Sequence, residues 1–211
     1  MTVAIVDYGS GNLHSAEKAF QRMSREGSGE RIVVTSDAEE VRRANRIVLP
    51  GVGAFADCRA GLGAAEGMIE ALEERAHQGS APFLGICVGM QLLASVGREH
   101  GETPGLDWIA GEVARLAPND DQLKVPHMGW NELSFGEHPL FAGLAQGAHA
   151  YFVHSYHFRP RQPEHRLAHV AHGEMVTAAV GRGNIAGVQF HPEKSQATGL
   201  RLIANFLEWA P

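Results

Sequence analysis

The sequence predicts an α/β fold, a doubly wound mixed sheet with a parallel core flanked by helices. In the first half of the chain, short β-branched runs alternate with amphipathic helical patterns. Near-continuous apolar strands separated by helices indicate a parallel sheet that is covered on both faces. In the second half, short strands separated by Gly, Pro and polar turns indicate antiparallel pairing. No internal repeat or low-complexity linker interrupts the chain, so we predict a single domain, residues 1–211, with a β-rich insertion region.

The elements of the first half follow one another without long gaps. The first strand covers Thr2–Tyr8 and ends at a Gly-Ser-Gly turn. Asn12 can cap the helix that follows, which runs to about Arg25 with its apolar residues on one face. The later elements are strand 31–36, a short helix 38–44, strand 46–50, helical segments 55–62 and 68–77, strand 82–86 and helix 88–97.

The second half contains short strand patterns and one terminal helix. The predicted strands are 111–116, 131–135, 149–156, 166–173, 175–181 and 184–190, and the helix covers roughly 197–209.

Composition and charge narrow the class of protein. With 44% hydrophobic and 20% charged residues, the chain is typical of a soluble globular protein. The net charge of -6 argues against nucleic acid as a partner. No apolar run has the length of a membrane span, and the N-terminus lacks the features of a signal peptide. Only two cysteines occur, so a disulfide scaffold is not expected and a reducing cytoplasm is.

The stretch LGICVGMQLL contains a candidate nucleophile. Cys87 lies between Gly85 and Gly89 at the junction of a predicted strand and helix. In a nucleophile elbow the backbone is strained and the flanking chains approach so closely that only glycine fits. The N-terminus of a helix favours the thiolate, and the N–H of Val88 would point to where an oxyanion forms. Cys58 lacks this context and is predicted to be a packed helix cysteine.

The stretch GVQFHPEKS offers a base and an acid two residues apart. His191 follows the predicted strand 184–190 and would lie at the carboxyl edge of the sheet, where open α/β sheets bind ligands. Pro192 restricts the backbone, and an extended backbone would put the side chains of His191 and Glu193 on one side. Glu193 would then hold the imidazole tautomer while His191 transfers the proton. A polar strand end without a catalytic role would have the same local sequence.

A second oxyanion donor is expected from LPGVGAF, the loop that leaves the third strand. Gly51 and Gly53 leave the amides of the Gly51, Val52 and Gly53 segment unshielded. This strand is expected beside the elbow strand in a doubly wound order. Because a glycine turn after a strand is often only a turn, the loop supports the prediction only together with the other two motifs.

Taken together, these motifs resemble the class I (triad) glutamine amidotransferase family. The resemblance is carried by Gly-x-Cys-x-Gly-Met-Gln around Cys87, by His191-x-Glu193 and by the Pro-Gly-Val-Gly loop at Gly51. Within the family, DYGSGN, LPGVGAF, GICVGMQLL, HMGWN, YFVHSY and GVQFHPEKS resemble the glutaminase subunits of histidine biosynthesis, in the same order and over nearly the whole chain. One departure is Val88, where the family more often has Leu. Since this residue contributes its amide, the oxyanion donor is kept.

The resemblance implies a flavodoxin-like fold and an activity. Cys87, His191 and Glu193 would hydrolyse glutamine to glutamate and ammonia, with Val88 and the Gly51, Val52 and Gly53 loop as oxyanion hole and with no cofactor or metal. The residues implied to contact glutamine are Gln91, Gly51, Gly89, Ser155 and Tyr156.

The resemblance also implies a partner. Ammonia would pass to a separate cyclase subunit with a (β/α)₈ barrel fold, which typically needs about 250 residues and does not fit in this chain. The resemblance further implies that glutaminase activity is weak until that partner is bound with its ligand. The residues implied to face the partner are Trp130, Asn131, Tyr151 and Lys194; from the residues alone, core aromatics and a polar loop would account for the same sequence.

Three other functions are compatible with parts of the sequence. The histidines at 154 and 157, or at 165, 169 and 172, invite a metal site, but neither a closed ligand set nor a helical H-E-x-x-H is present. A free-standing Cys-His-Glu hydrolase would act on another amide or ester without a partner. A degenerate regulatory subunit would not need Cys87, His191 and Glu193 together.

Overall fold

The computed structural model describes residues 1–9 and 13–211. The predicted helix cap, Asn12, lies outside the described residues. In chain order the strands are β1 (Thr2–Val6), β2 (Arg31–Thr35), β3 (Arg46–Gly51), β4 (Phe83–Cys87), β5 (Val96–Gly97), β6 (Thr103–Pro104), β7 (Gly111–Arg115), β8 (His127–Glu132), β9 (Ser134–Phe135), β10 (His149–His154), β11 (Tyr156–Pro160), β12 (Arg166–Ala171), β13 (Met175–Arg182) and β14 (Ile185–Val188). The helices are α1 (Leu13–Glu26), α2 (Ala38–Arg43), α3 (Phe55–Ala64), α4 (Met68–Leu72), α5 (Val88–Gln91) and α6 (Gln196–Glu208).

The main sheet is mixed, as predicted. Its strand order is β2-β1-β3-β4-β14-β13-β12-β9. The strands from β2 to β14 pair in parallel, and β13, β12 and β9 extend the sheet in antiparallel fashion. The parallel part has the 2-1-3-4-5 order of flavodoxin-like folds. This order puts β3, β4 and β14 side by side, so their carboxyl ends meet at one edge.

Apolar strands and amphipathic helices form the core in the expected way. Strands β3 and β4 are buried along their length except at Arg46, which explains their continuous apolar sequence. Helix α1 buries Ala16, Phe20 and Met23 on one face. The ring of Phe20 meets that of Phe206 on α6 edge to face, with the centroids 6.2 Å apart. Helices therefore cover the sheet, and the predicted fold class is confirmed.

One predicted helix is much shorter in the structure. The segment 88–97 forms a single helical turn, α5, then bends and enters β5. The carbonyl of Leu92, which a longer helix would use internally, accepts a hydrogen bond from the amide of Leu106 at 2.7 Å. The next two carbonyls are taken in the same way by amides of 107–109. Tertiary hydrogen bonds have replaced the helical ones, which local sequence periodicity cannot reveal.

The remaining strands form two small sheets beside the main one. Strands β8 and β10 pair with each other, and the second sheet has the order β11-β7-β5-β6. The predicted turn before 131 is part of β8, which begins at His127. In the described ranges, no helix is both long enough and apolar enough to cross a membrane.

Candidate active site

The end of β4 has the geometry predicted for a nucleophile elbow. Cys87 has φ 57° and ψ −114°, a left-handed conformation that is strained for a residue with a side chain. A Cβ added to Gly85 would lie 2.5 Å from the carbonyl oxygen of Gly89, and one added to Gly89 would lie 1.8 Å from that of Leu49. Both flanking positions therefore require glycine because backbone segments meet there.

Cys87 lies at the N-terminus of a helix, as predicted, but that helix is much shorter than expected. The sequence predicted a helix over 88–97, and α5 spans only Val88–Gln91. One turn aligns few peptide dipoles. Stabilisation of negative charge on the sulfur has to come mainly from side chains that contact it.

His191 and Glu193 form a buried ion pair. Nδ1 of His191 lies 2.8 Å from Oε1 of Glu193, and each side chain is about 5% exposed. The segment Pro192–Lys194 is a 3-10 turn, so the extended backbone assumed from the sequence is not what brings the side chains together. The backbone is fixed instead by two hydrogen bonds. The hydroxyl of Ser195 donates to the carbonyl of His191, and the amide of His191 donates to the carbonyl of Tyr151.

The charge of the His191 imidazole is set by its two neighbours. Burial lowers its pKa, but hydrogen bonds and charge interactions with Cys87 and Glu193 raise it by a larger amount, so that the pKa is about 9. Cys87 is thus close enough to act on the ring, although Nε2 has no well-aligned hydrogen bond among the described residues. Such contacts are often long without substrate and tighten when it binds. At neutral pH the ring carries a proton beside the sulfur.

The loop after β3 lies next to the elbow and is held by two side chains. In the parallel pairing of β3 with β4, Gly51 is opposite Cys87. The hydroxyl of Tyr8 donates to the carbonyl of Pro50 at 2.8 Å, and the thiol of Cys58 on α3 donates to that of Val52 at 3.4 Å. Cys58 is buried, as predicted, and fixes part of the loop.

A cavity of about 370 Å³ opens beside these residues. Most of the residues predicted for the site line this cavity, and they come from four separate parts of the chain. They are Val52, Gly53, Cys87, Val88, Gln91, Ser155, Tyr156 and His191. Gly51 and Gly89 are absent from the described lining; they pack against each other at the base of the elbow. Their predicted contact with glutamine stays a prediction.

Sequence reasoning missed three polar residues of the site. Gln189 is fully buried and its side-chain amide donates to Sγ of Cys87 at 3.7 Å. Glu99 lines the cavity and one carboxylate oxygen accepts from the amide of Phe55 at 2.8 Å. His154 lines the cavity as well. A polar residue within the apolar strand NIAGVQF was the available signal for Gln189; nothing local distinguishes the other two.

The four residues predicted to face a partner are all at least partly exposed, but Trp130 and Asn131 are consecutive in β8 and lie on opposite faces of that strand. Trp130 on β8 is 47% exposed, pairs with Tyr151 across the strands, and meets its ring edge on at 5.8 Å. Asn131 follows on the same strand, partly exposed, and Lys194 is exposed in the turn after the ion pair. Because the amide of the triad histidine bonds to the carbonyl of Tyr151, the β8–β10 pair borders the cavity.

Other candidate sites in the described residues lack a nucleophile or a set of metal ligands. A groove of about 660 Å³ is lined by Phe135, Glu137, His138 and Phe141 among others, and its described lining contains no cysteine, serine or threonine. Within the described part of the chain, no group of three or more His, Cys, Asp or Glu side chains is arranged to hold a metal.

Comparison with known proteins decides the family. A sequence model of the family described as glutamine amidotransferase class-I matches residues 4–209. The chain belongs to the class I glutamine amidotransferase family. Relatives in this family include proteins named imidazole glycerol phosphate synthase subunit HisH from Ruegeria pomeroyi, 60% identical, and from Rhodospirillum rubrum, 61% identical. Each alignment covers 100% of this chain and 100% of the relative. The predicted family and enzyme class are confirmed.

Solved structures agree on the fold. A crystal structure of a glutamine amidotransferase has a TM-score of 0.74 and 21% identity, covering 98% of this chain and 97% of its own. The crystal structure of a putative GMP synthase protein from Thermoplasma acidophilum has a TM-score of 0.71 and 20% identity, covering 99% of this chain and 92% of its own. Proteins of low sequence identity therefore share this architecture.

Proposed function

We propose that this chain is the glutaminase subunit of an imidazole glycerol phosphate synthase, which supplies ammonia for histidine biosynthesis. The observation that carries the proposal is the buried ion pair of His191 with Glu193, beside a cavity that His191 and the strained Cys87 both line. Full-length identity of 60% and 61% to proteins with that synthase name supports the choice within the family.

The three residues divide the chemistry of amide hydrolysis. The sulfur of Cys87 attacks the side-chain carbonyl carbon of glutamine and forms a tetrahedral intermediate. The C–N bond then breaks, and His191 gives its proton to the departing nitrogen, which leaves as ammonia. His191 next takes a proton from water as the water attacks the γ-glutamyl thioester. Glutamate leaves and Cys87 is restored, while Glu193 holds the imidazole in position throughout.

The oxyanion hole is formed by the amide of Val88 and by the Gly51, Val52 and Gly53 loop. We infer that one peptide of the loop points its carbonyl into the site at rest, so that the hole is incomplete. A missing donor lowers the rate by about 10²–10³-fold. Glycine neighbours make a peptide flip inexpensive, and partner binding would favour the completed form. This would keep glutaminase activity low until ammonia can be used.

The cavity offers contacts for both ends of glutamine. Ser155, Tyr156 and Gln91 line it and would contact the substrate, with Gly51 and Gly89 shaping the elbow behind the reacting carbon. The carboxylate of Glu99 provides a negative charge for the α-ammonium group of the amino acid.

The partner is a separate cyclase subunit with a (β/α)₈ barrel fold, in a heterodimer. We place it on the surface that carries Trp130, Asn131, Tyr151 and Lys194, around the mouth of the cavity. An exposed tryptophan at 47% and the exposed Met128 at 63% are typical of an interface core. The proposed hydrolysis of glutamine uses only the triad, the amides of the oxyanion hole and water. The two cysteines, neither of which is in a disulfide, fit the cytoplasm as the proposed compartment.

The test is glutamate release from glutamine, measured for this chain alone and then with the cyclase and its nucleotide ligand. We expect a low basal rate that rises by about 10²-fold or more when the hole is completed. The matched control is Cys87→Ala, which should abolish glutamine-dependent synthesis by the complex and leave ammonia-dependent synthesis intact. A high rate without partner would point to a free-standing amidase, and loss of both activities in Cys87→Ala would contradict the division of labour.

A further inference from the structure

A buried chain of hydrogen bonds joins the β8–β10 strand pair to the cavity. The side-chain nitrogen of Asn131 lies 3.1 Å from Nε2 of His127, and Nδ1 of His127 lies 2.9 Å from Nε2 of His154. Nδ1 of His154 lies 2.9 Å from the carbonyl oxygen of Tyr156. Both histidines are buried, and His154 lines the cavity.

The direction of each bond follows from its two ends. The oxygen of the Asn131 side chain accepts from the amide of Glu132 at 2.8 Å, and its nitrogen also donates to the carbonyl of Ala171 at 2.9 Å. Reversing the side-chain amide would place its oxygen against the Ala171 carbonyl and its NH₂ group against the Glu132 N–H, so the orientation is fixed. Nε2 of His127 is therefore an acceptor, and its Nδ1 carries the proton and donates to His154.

The same logic continues to the end of the hydrogen-bond chain. Nε2 of His154 accepts from His127, so the proton of His154 is on Nδ1 and is donated to the carbonyl of Tyr156, which can only accept. This assignment requires both rings to be neutral. Burial lowers the pKa of His127 to about 4, and burial likewise lowers that of His154 to about 3.

A second set of bonds leads from the same carbonyl to the nucleophile. The side-chain nitrogen of Gln91 donates to the carbonyl of Tyr156 at 3.0 Å and to the side-chain oxygen of Gln189 at 2.9 Å. The nitrogen of Gln189 then donates to Sγ of Cys87 at 3.7 Å. The Tyr156 carbonyl is thus the point where the histidine chain and the contacts of the nucleophile meet.

Packing restricts the movement of the two rings. His127 and His154 are directly opposite each other in the antiparallel pairing of β8 with β10. The ring of His127 is stacked between those of Phe152 and His172, at centroid distances of 4.8 and 4.2 Å. Gly129, with φ 127°, bends β8 out of regular strand geometry between His127 and Asn131. A shift of Asn131 would therefore be passed on along the rings.

We propose that His127 and His154 are positioning residues that fix the Tyr156 carbonyl, and through it Gln91, Gln189 and Cys87, according to the position of Asn131 on the partner-facing strand pair. The inference rests on the proposed glutaminase function of this cavity. The two histidines contact no reacting atom in this scheme. They make the geometry of the site depend on the surface where the cyclase would bind.

The functional test compares variants in the complex with the cyclase. His154→Phe removes both bonds, and we expect kcat for glutamine hydrolysis to fall by about 10–100-fold with a smaller change in KM, as expected when a reacting group is misplaced by a fraction of an ångström. His154→Asn can still donate to the Tyr156 carbonyl and should retain more activity than His154→Phe. The matched control is His172→Phe, which keeps the stack on His127 and lies outside the chain of hydrogen bonds.

A second readout tests the hydrogen-bond chain without enzyme activity. Ring-nitrogen NMR of ¹⁵N-histidine-labelled protein should show His127 and His154 as neutral Nδ1–H tautomers at neutral pH. Asn131→Leu removes the donor that fixes His127 and should shift its tautomer populations. The same variant should lower kcat of the complex in the direction of His154→Phe.

The outcomes separate the two proposals. Co-elution with the cyclase in the wild-type ratio, together with an unchanged circular dichroism spectrum, shows that a variant is folded and docked. If the wild-type complex releases no glutamate, the proposed function is wrong. If it does, but His154→Phe keeps the kcat of His172→Phe, or the rings are Nε2–H tautomers, the positioning role is wrong.

Discussion

Two histidine sites of this protein are buried to a similar degree, but one favours the charged imidazolium and the other the neutral imidazole. At the triad, burial lowers the pKa of His191, but the neighbouring Glu193 and Cys87 raise it to about 9. On the β8–β10 pair, burial lowers the pKa of His127 to about 4 and that of His154 to about 3. The partners there are an amide, another imidazole and a carbonyl.

The difference shows that burial alone does not set the charge of a histidine. An anionic partner offsets the loss of hydration and keeps the proton, whereas neutral partners satisfy hydrogen bonds without stabilising a charge. The first arrangement suits proton transfer to a leaving nitrogen. The second suits a fixed tautomer, in which each ring holds its hydrogen-bond partner in place and keeps its own proton. Three changes would test this comparison.

The largest effect is expected from Glu193→Gln, which makes the triad resemble the neutral pair. Removing a charge that raises the pKa of His191 should move the alkaline limb of the kcat/KM profile from about pH 9 to lower pH. The wrong tautomer is also favoured, so kcat for glutamine should fall by about 10³–10⁴-fold. The check is a pH–rate profile of the complex with glutamine, with ammonia-dependent synthesis as control. An unmoved alkaline limb would show that Glu193 does not set the charge of the ring.

The converse change is Asn131→Asp, which places a carboxylate beside Nε2 of His127. An opposite charge at this distance should raise the pKa of His127 by about 1–3 units. The measurement is a ¹⁵N titration of the labelled ring. His191 serves as an internal control and should keep its value near 9. A His127 ring that stays neutral to the same pH as in the wild type would mean that burial outweighs the partner here.

The smallest effect concerns stability in acid. Because the folded protein lowers the pKa of His154 to about 3, the unfolded chain binds more protons below about pH 6.5, and stability falls as pH falls. Between about pH 6.5 and pH 5 this ring should reduce the free energy of unfolding by about 1–2 kcal/mol. Urea unfolding of wild type and His154→Asn at both pH values isolates the contribution, since the variant lacks it. Equal losses in the two proteins would place the sensitivity elsewhere.

Much of the site was predictable because its motifs are local. The elbow needs glycine on both sides of Cys87 for steric reasons that any sequence with this spacing displays. The pairing of His191 with Glu193 follows from a two-residue separation, although a turn and not an extended segment produces it. The single-domain organisation stays a prediction, as do the roles of the glutamine contacts. The helix over 88–97 was predicted wrongly because distant amides take its carbonyls.

By itself, the sequence determined the strands of the main sheet, the strained turn at Cys87 and the residue types of the triad, since each depends on neighbours along the chain. Only the tertiary structure decided which buried histidines carry a charge and which polar groups meet. Gln189 reaches the sulfur from a strand 102 residues away, and His127 meets His154 across 27 residues. A pKa depends on the groups that surround a side chain in space, and sequence separation says nothing about them.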